Sequence, residues 1–102
     1  MADIVWTEEA LSDLEAIGDY FERTSPQYAS SIIDRLHSSV EPLAEHPKMG
    51  RRVPEVGHEA LRELIVDEYR VLYQLRDGDI EIITVVHSRQ DLEKKFRQRG
   101  EV

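Results

Sequence analysis

Residues 69–87 read YRVLYQLRDGDIEIITVVH, and the reading of this stretch decides the fold. Asp77-Gly78, set between Arg76 and Asp79, is a two-residue hairpin signal: both central positions of such a turn need φ > 0, which Gly adopts freely and Asp tolerates. The turn also sets a register. With Arg76 opposite Asp79, Tyr73 falls opposite Ile82, Arg70 opposite Val85 and Tyr69 opposite Val86. One face then carries Tyr69, Val71, Tyr73, Leu75, Ile80, Ile82 and Val86, the face to be buried. The other carries Arg70, Leu72, Gln74, Glu81, Ile83, Val85 and His87, a mixed surface open to a further partner.

Working outward, Leu61–Val66 is another β-prone run, whereas His46–Ala60 holds two prolines and two glycines among few apolar residues and reads as a loop. Before it the apolar period changes from two to 3.6. Thr7 is placed to cap a helix whose first turn holds Glu8 and Glu9, with Ala10, Leu14, Ile17 and Phe21, flanked by Leu11, as its buried stripe to about Arg23. Thr24-Ser25-Pro26 stops that helix and starts a second, with Ser25 as cap and Pro26 at the first helical position. Ala29, Ile32, Ile33, Leu36, Val40 and Leu43 form the second stripe, which ends before Pro47, and Pro42 kinks or shortens its last turn. Asp3–Trp6 is a short β-prone piece. The expected fold is a single α+β domain over residues 1–102: a short N-terminal strand, an antiparallel helix hairpin packed on a C-terminal antiparallel sheet, and a short charged helix or tail.

Composition narrows the function. With no cysteine, neither a disulfide framework nor a thiolate metal site nor a Cys nucleophile is available, which suits a reducing cytoplasm. No apolar run approaches the ~20 residues of a membrane span, and the start of the chain has no basic, apolar leader pattern, so a cytoplasmic protein without membrane contact is expected. The net charge of −8 argues against general nucleic-acid binding. That charge is uneven: residues 1–50 hold three basic and ten acidic side chains, residues 51–102 ten and eleven. Between Arg89 and Arg99 five basic residues meet only two acidic ones, and Leu92 and Phe96 are the large apolar groups there.

The hairpin register makes Arg70 and His87 diagonal neighbours on one face, roughly 7–8 Å apart at the backbone. Glu55 in the preceding loop can reach the same edge, with Arg51 and Arg52 nearby. A carboxylate, a histidine and an arginine supply a base, an acid and a cation for phosphodiester cleavage by a 2′-hydroxyl. The ordinary roles stand beside this one: a structural hydrogen bond for His87 at a strand end, a salt bridge from Arg70 to Glu81 or Glu68, and a solvated loop carboxylate for Glu55. Tyr69, Tyr73 and Trp6 read as core. No Gly-rich phosphate loop, nucleophile elbow or metal-binding spacing is present, and no cofactor is expected.

Trp6-Thr7-Glu8-Glu9-Ala10, Asp13-Leu14, Ile17, Tyr20, Leu43-Ala44-Glu45-His46-Pro47, Gly50-Arg51, Leu61-Arg62-Glu63-Leu64, Tyr69-Arg70-Val71-Leu72-Tyr73 and His87-Ser88-Arg89-Gln90-Asp91-Leu92 occur in the order and spacing of one family. Over nearly its whole length the chain resembles the RelE/ParE toxins of bacterial type II toxin–antitoxin pairs. The resemblance implies a cognate antitoxin that wraps the toxin, in a toxin–antitoxin heterotetramer as one possible assembly, and a role in growth arrest or plasmid stabilisation. The long helix hairpin and the His-x-Arg-x-Asp-Leu ending look like the ParE-like branch, which poisons DNA gyrase and performs no chemistry. The charged segment Arg89, Lys94, Lys95, Phe96, Arg97 and Arg99 would then meet the target. The competing branch is RelE/YoeB-like and cleaves mRNA on the ribosome, with Glu55, Arg70 and His87 at the positions of base, phosphate-binding arginine and acid. It lacks here a tyrosine after the histidine, where Ser88 stands, and a strongly basic surface. A third reading is an inactive antitoxin-binding module. The strip Leu72, Ile83 and Val85 beside Arg70 is the expected antitoxin groove.

Overall fold

The computed structural model describes residues 2–57, 60–90, 92 and 95. Strand β1 (Ile4–Trp6) leads into helix α1 (Glu8–Glu22), and helix α2 (Pro26–Ser39) is followed by a 3-10 turn at Glu41–Ala44. Strands β2 (Arg51–Arg52), β3 (Leu61–Val66), β4 (Tyr69–Arg76) and β5 (Asp79–His87) complete the domain. The sheet order is β1-β5-β4-β3-β2, antiparallel except for β1, which runs parallel to β5. The expected α+β architecture is therefore the observed one. Two features were not legible: the short strand β2 inside the expected loop, and the parallel docking of β1.

Local signals act where expected. Thr7 Oγ accepts from Ala10 N–H, capping α1, and donates to the carbonyls of Ile82 and Ile83, so one side chain ties the helix start to β5. Ser25 caps α2 through Tyr28 N–H, with Pro26 in the first turn. Pro42 ends α2 early by forcing the chain into the 3-10 turn. The two helices bury Ala10, Leu14, Ile32 and Leu36 against Val71, Tyr73, Ile80 and Ile82. Trp6 is half-buried and stacks in parallel on His37 at 5.5 Å, whereas Leu11 stays half exposed.

A second, smaller core lies on the opposite face of the sheet, where Val53, Leu61, Leu72, Ile83, Val86 and Leu92 meet. A bulge in β5 decides which of its residues enter each layer. The register runs Tyr73↔Ile82 and then Leu72↔Thr84, so Ile83 is an extra residue and every pair beyond it is shifted by one. Asp13 of α1 holds the irregular stretch, accepting from Thr84 Oγ at 2.5 Å and from Val85 N–H at 2.9 Å.

Gly50 marks a close approach between the loop and the sheet. Its N–H donates to Tyr73 Oη, which itself donates to the Pro47 carbonyl, and a Cβ built at Gly50 would lie 2.6 Å from the Glu63 carbonyl oxygen. Gly50→Ala is therefore expected to lower stability by at least about 1–3 kcal/mol, the usual cost of overpacking, measurable by urea denaturation.

Candidate functional site

Beyond the bulge the one-residue shift reverses which side chains share a face. Arg70 pairs with Val86, not with Val85, and lies on the second-core face, while His87 pairs with Tyr69 and lies on the helix face. The expected convergence of Arg70 and His87 is thus corrected: the sheet stands between them. Glu55 does reach Arg70.

That meeting is part of a four-residue network. Glu63 on β3 has a fully buried side chain, accepting from Arg70 Nε at 2.6 Å on one oxygen and from Arg51 Nε at 2.6 Å on the other. Arg70, itself 6% exposed, reaches past it and grips both oxygens of Glu55 at 2.7 Å. A buried carboxylate is tolerable only when paired and hydrogen-bonded, and here two guanidinium groups do it. The salt bridges considered for Arg70 with Glu81 or Glu68 are not the ones formed: Glu81 takes Gln74 and Arg76, and Glu68 lies beside His87.

The hydrogen bonds from Arg70 hold the Glu55 carboxyl down at about 2, and the same bonds raise the Arg70 guanidinium above its ordinary value. Since the folded value of Glu55 lies below its usual 4.5, the pair contributes stability fully above pH 4.5 and loses it as the pH falls toward about 2. The stability difference between the parent and Glu55→Gln is expected to be constant near neutrality and to vanish on acidification through that window, as followed by denaturation at a series of pH values. A carboxylate so held is a poor proton acceptor near pH 7.

On the other face, the His87 ring meets the Tyr69 ring edge to face at 5.5 Å. Its Nδ1 accepts from Arg89 N–H at 3.1 Å, and its Nε2 faces a Glu68 oxygen at 3.7 Å. Ala16, Ile17, Tyr20 and Phe21 of α1 join Glu68, Tyr69 and His87 around an open cleft of about 420 Å³.

The other expected site residues are divided. Arg89 is exposed in the turn after β5. Lys95 instead folds back, its Nζ lying 3.3 Å from Asp13 Oδ2 and 4.0 Å from Glu9. Lys94, Phe96, Arg97 and Arg99 lie outside the described residues. Leu72 and Ile83 are buried in the second core beneath this chain's own Val53 and Leu92, and Val85 belongs to the helix-side core. The exposed apolar strip expected over these three residues is therefore not present. The bulge turns Val85 inward, and Leu92 covers part of the rest.

Glu63 and Asp13 were missed by sequence reasoning, although each had a signal. In LRELIV, alternation puts Glu63 on the same side as Leu61, and Asp13 follows Ala10 at helical spacing on the buried stripe. An acid on an inward position asks for a buried cation or donor. Among the described residues no group of three or more His, Asp or Glu side chains is arranged to hold a metal ion. No described helix is long and apolar enough to cross a membrane.

Comparison with known proteins places this arrangement. A family model described as "ParE toxin of type II toxin-antitoxin system, parDE" matches residues 4–92. The chain is 39% identical over 89 residues to "Toxin RelE2" of Caulobacter vibrioides, a match spanning 86% of this chain and 97% of that protein. In structure it is similar to a chain of the chromosomal ParDE toxin–antitoxin system of P. aeruginosa, with TM-score 0.74 and 22% identity over 85% of this chain and 96% of that one. It is also similar to a free-state mutant of the E. coli toxin RelE, with TM-score 0.70 and 17% identity over the whole of both chains.

Proposed function

This chain belongs to the ParE toxin family of type II toxin–antitoxin systems, and from that premise we propose that it arrests growth by binding and inhibiting DNA gyrase until a cognate antitoxin neutralises it. The observation that carries this reading over nucleolytic chemistry is the separation of Glu55 and Arg70 from His87 by the thickness of the sheet. A general acid and a general base must reach the same phosphodiester. Here the carboxylate is bound to two guanidinium nitrogens and the histidine faces the helices.

The second reading, cleavage of mRNA on the ribosome, is favoured by one observation, the meeting of Glu55 with Arg70, and by the name of the relative RelE2. The two are separated by inducing the chain without antitoxin. Trapped gyrase–DNA cleavage complexes with an SOS response are expected. Cuts in A-site codons with halted translation would establish the second reading and make Glu55 and Arg70, which meet, and His87, on the opposite face, groups to be tested separately, and unaffected cells would leave an antitoxin-binding module.

In the gyrase reading the contact surface is the charged segment, with Arg89, Lys94, Phe96, Arg97 and Arg99 meeting the target and Lys95 shared with Asp13. The double substitution Arg97→Gln with Arg99→Gln is expected to abolish growth arrest while leaving the melting temperature and antitoxin binding unchanged. Arrest that survives it removes the segment from the mechanism.

A further inference from the structure

We propose that the cleft between α1 and the β3–β4 turn is an arginine-binding pocket, and that it receives an arginine side chain of the cognate antitoxin. The inference rests on membership of the toxin–antitoxin family for the partner, and on the cleft alone for the chemistry.

Three features define the ligand. The walls are aromatic: Tyr20, 64% exposed, stands edge to face with Phe21 at 5.0 Å, and Tyr69 stands edge to face with His87 at 5.5 Å. The rim is anionic, because the Glu68 side chain is 75% exposed and its nearest cation-forming neighbour among the described residues is His87 at 3.7 Å. The volume of about 420 Å³ falls within the range of sites that take a small ligand or one long side chain, typically ~300–1,000 Å³.

A cation over aromatic faces beside a carboxylate gains from the ring quadrupoles and from charge together. Guanidinium suits this cleft better than ammonium: it is planar, stacks on a ring and offers paired N–H donors to both oxygens of Glu68. His87 completes the wall, its Nδ1 already taken by Arg89 N–H. Helix α1, which forms one wall, carries six acidic and no basic residues, so that wall also favours a basic partner segment, while the exposed Arg89 stands beside His87 on the other side.

The full-length chain, labelled with 15N, would be titrated with acetyl-Gly-Arg-Gly-amide and with the same peptide carrying citrulline, the neutral isostere of arginine. Saturable shifts at Tyr20, Glu68, Tyr69 and His87 are expected with the arginine peptide only, and their loss in Glu68→Gln. With the cognate antitoxin, Glu68→Gln and Tyr20→Ala are each expected to raise Kd about tenfold or more, and Tyr20→Phe, which keeps the ring, less than twofold. Both altered side chains are largely solvent-exposed, so unchanged melting temperatures accompany these results. Equal responses to the two peptides, or an antitoxin Kd unchanged by Glu68→Gln and Tyr20→Ala, would overturn the pocket and leave the family reading intact. Failure of the parent chain to bind the antitoxin at all would overturn both.

Discussion

Replacing Arg70 by alanine is expected to destabilise the fold by about 3–5 kcal/mol, the cost of leaving a buried charge without its partner. Arg70 is the bridge between a carboxylate with no exposed side-chain surface, Glu63, and one at the rim, Glu55. Removing it leaves Glu63, among the described residues, with Arg51, whose side chain is 60% exposed. Urea denaturation read by circular dichroism checks the figure, and a loss under about 1 kcal/mol would show that water or Arg51 satisfies Glu63 unaided. Glu55→Ala, by contrast, touches the exposed end of the network and is expected to cost no more than about 1 kcal/mol. The contrast matters for function. A toxin weakened by Arg70→Ala loses activity whether or not Arg70 touches a substrate, so the mRNA-cleavage reading is better tested with Glu55→Gln, which removes the base and leaves the Arg70–Glu63 pair in place.

Leu92→Ala is expected to cost about 2–5 kcal/mol, the range for truncating a fully buried leucine. Leu92 is 2% exposed and closes the second core over Leu72, Ile83 and Val86, although it lies in a segment whose composition reads as a charged tail. Three residues further on, Lys95 reaches Asp13, the same carboxylate that captures the β5 bulge. Removing everything after Arg89 therefore strips a core residue and a clamp together with the candidate target-binding groups. Such a truncation is expected to melt well below the parent and to lose antitoxin binding in part, which confounds it as a test of target contact. Substitution of the charges at Arg97 and Arg99, with Leu92 and Lys95 retained, separates the two effects. A Leu92→Ala variant as stable as the parent would mean that the second core closes without it.

The strongest local signals in the sequence determined the architecture. Asp77-Gly78 and the runs around it determined a hairpin, since φ > 0 at two adjacent positions leaves few alternatives, and both Asp77 and Gly78 have positive φ. Thr7, Ser25 and Pro26 determined where the helices begin, and the 3.6-residue stripes determined which faces are buried. The family resemblance followed from the same ordered motifs, because they are tied to these elements. What remained undetermined was decided by contacts between segments far apart in the chain.

The face on which His87 lies shows why. Ile82-Ile83-Thr84-Val85-Val86 is β-branched or apolar at every position, so it carries no alternation from which a bulge could be located. Asp13, about seventy residues earlier, selects the bulged form by accepting from Thr84 and Val85, and a one-residue shift then carries Val85 and His87 to the helix side and Val86 away from it. Glu55 and Glu63 have the same character: as single residues they are a loop acid and a strand acid, and only the approach of Arg70 and Arg51 across strands makes them a buried ion network. Local backbone preference and periodicity thus encode the two helices, the hairpin and the ordered motifs of the family, but not strand β2 or the parallel docking of β1. Tertiary structure decided which charged side chains meet, because pairing across a sheet depends on a register that a uniformly apolar strand does not encode.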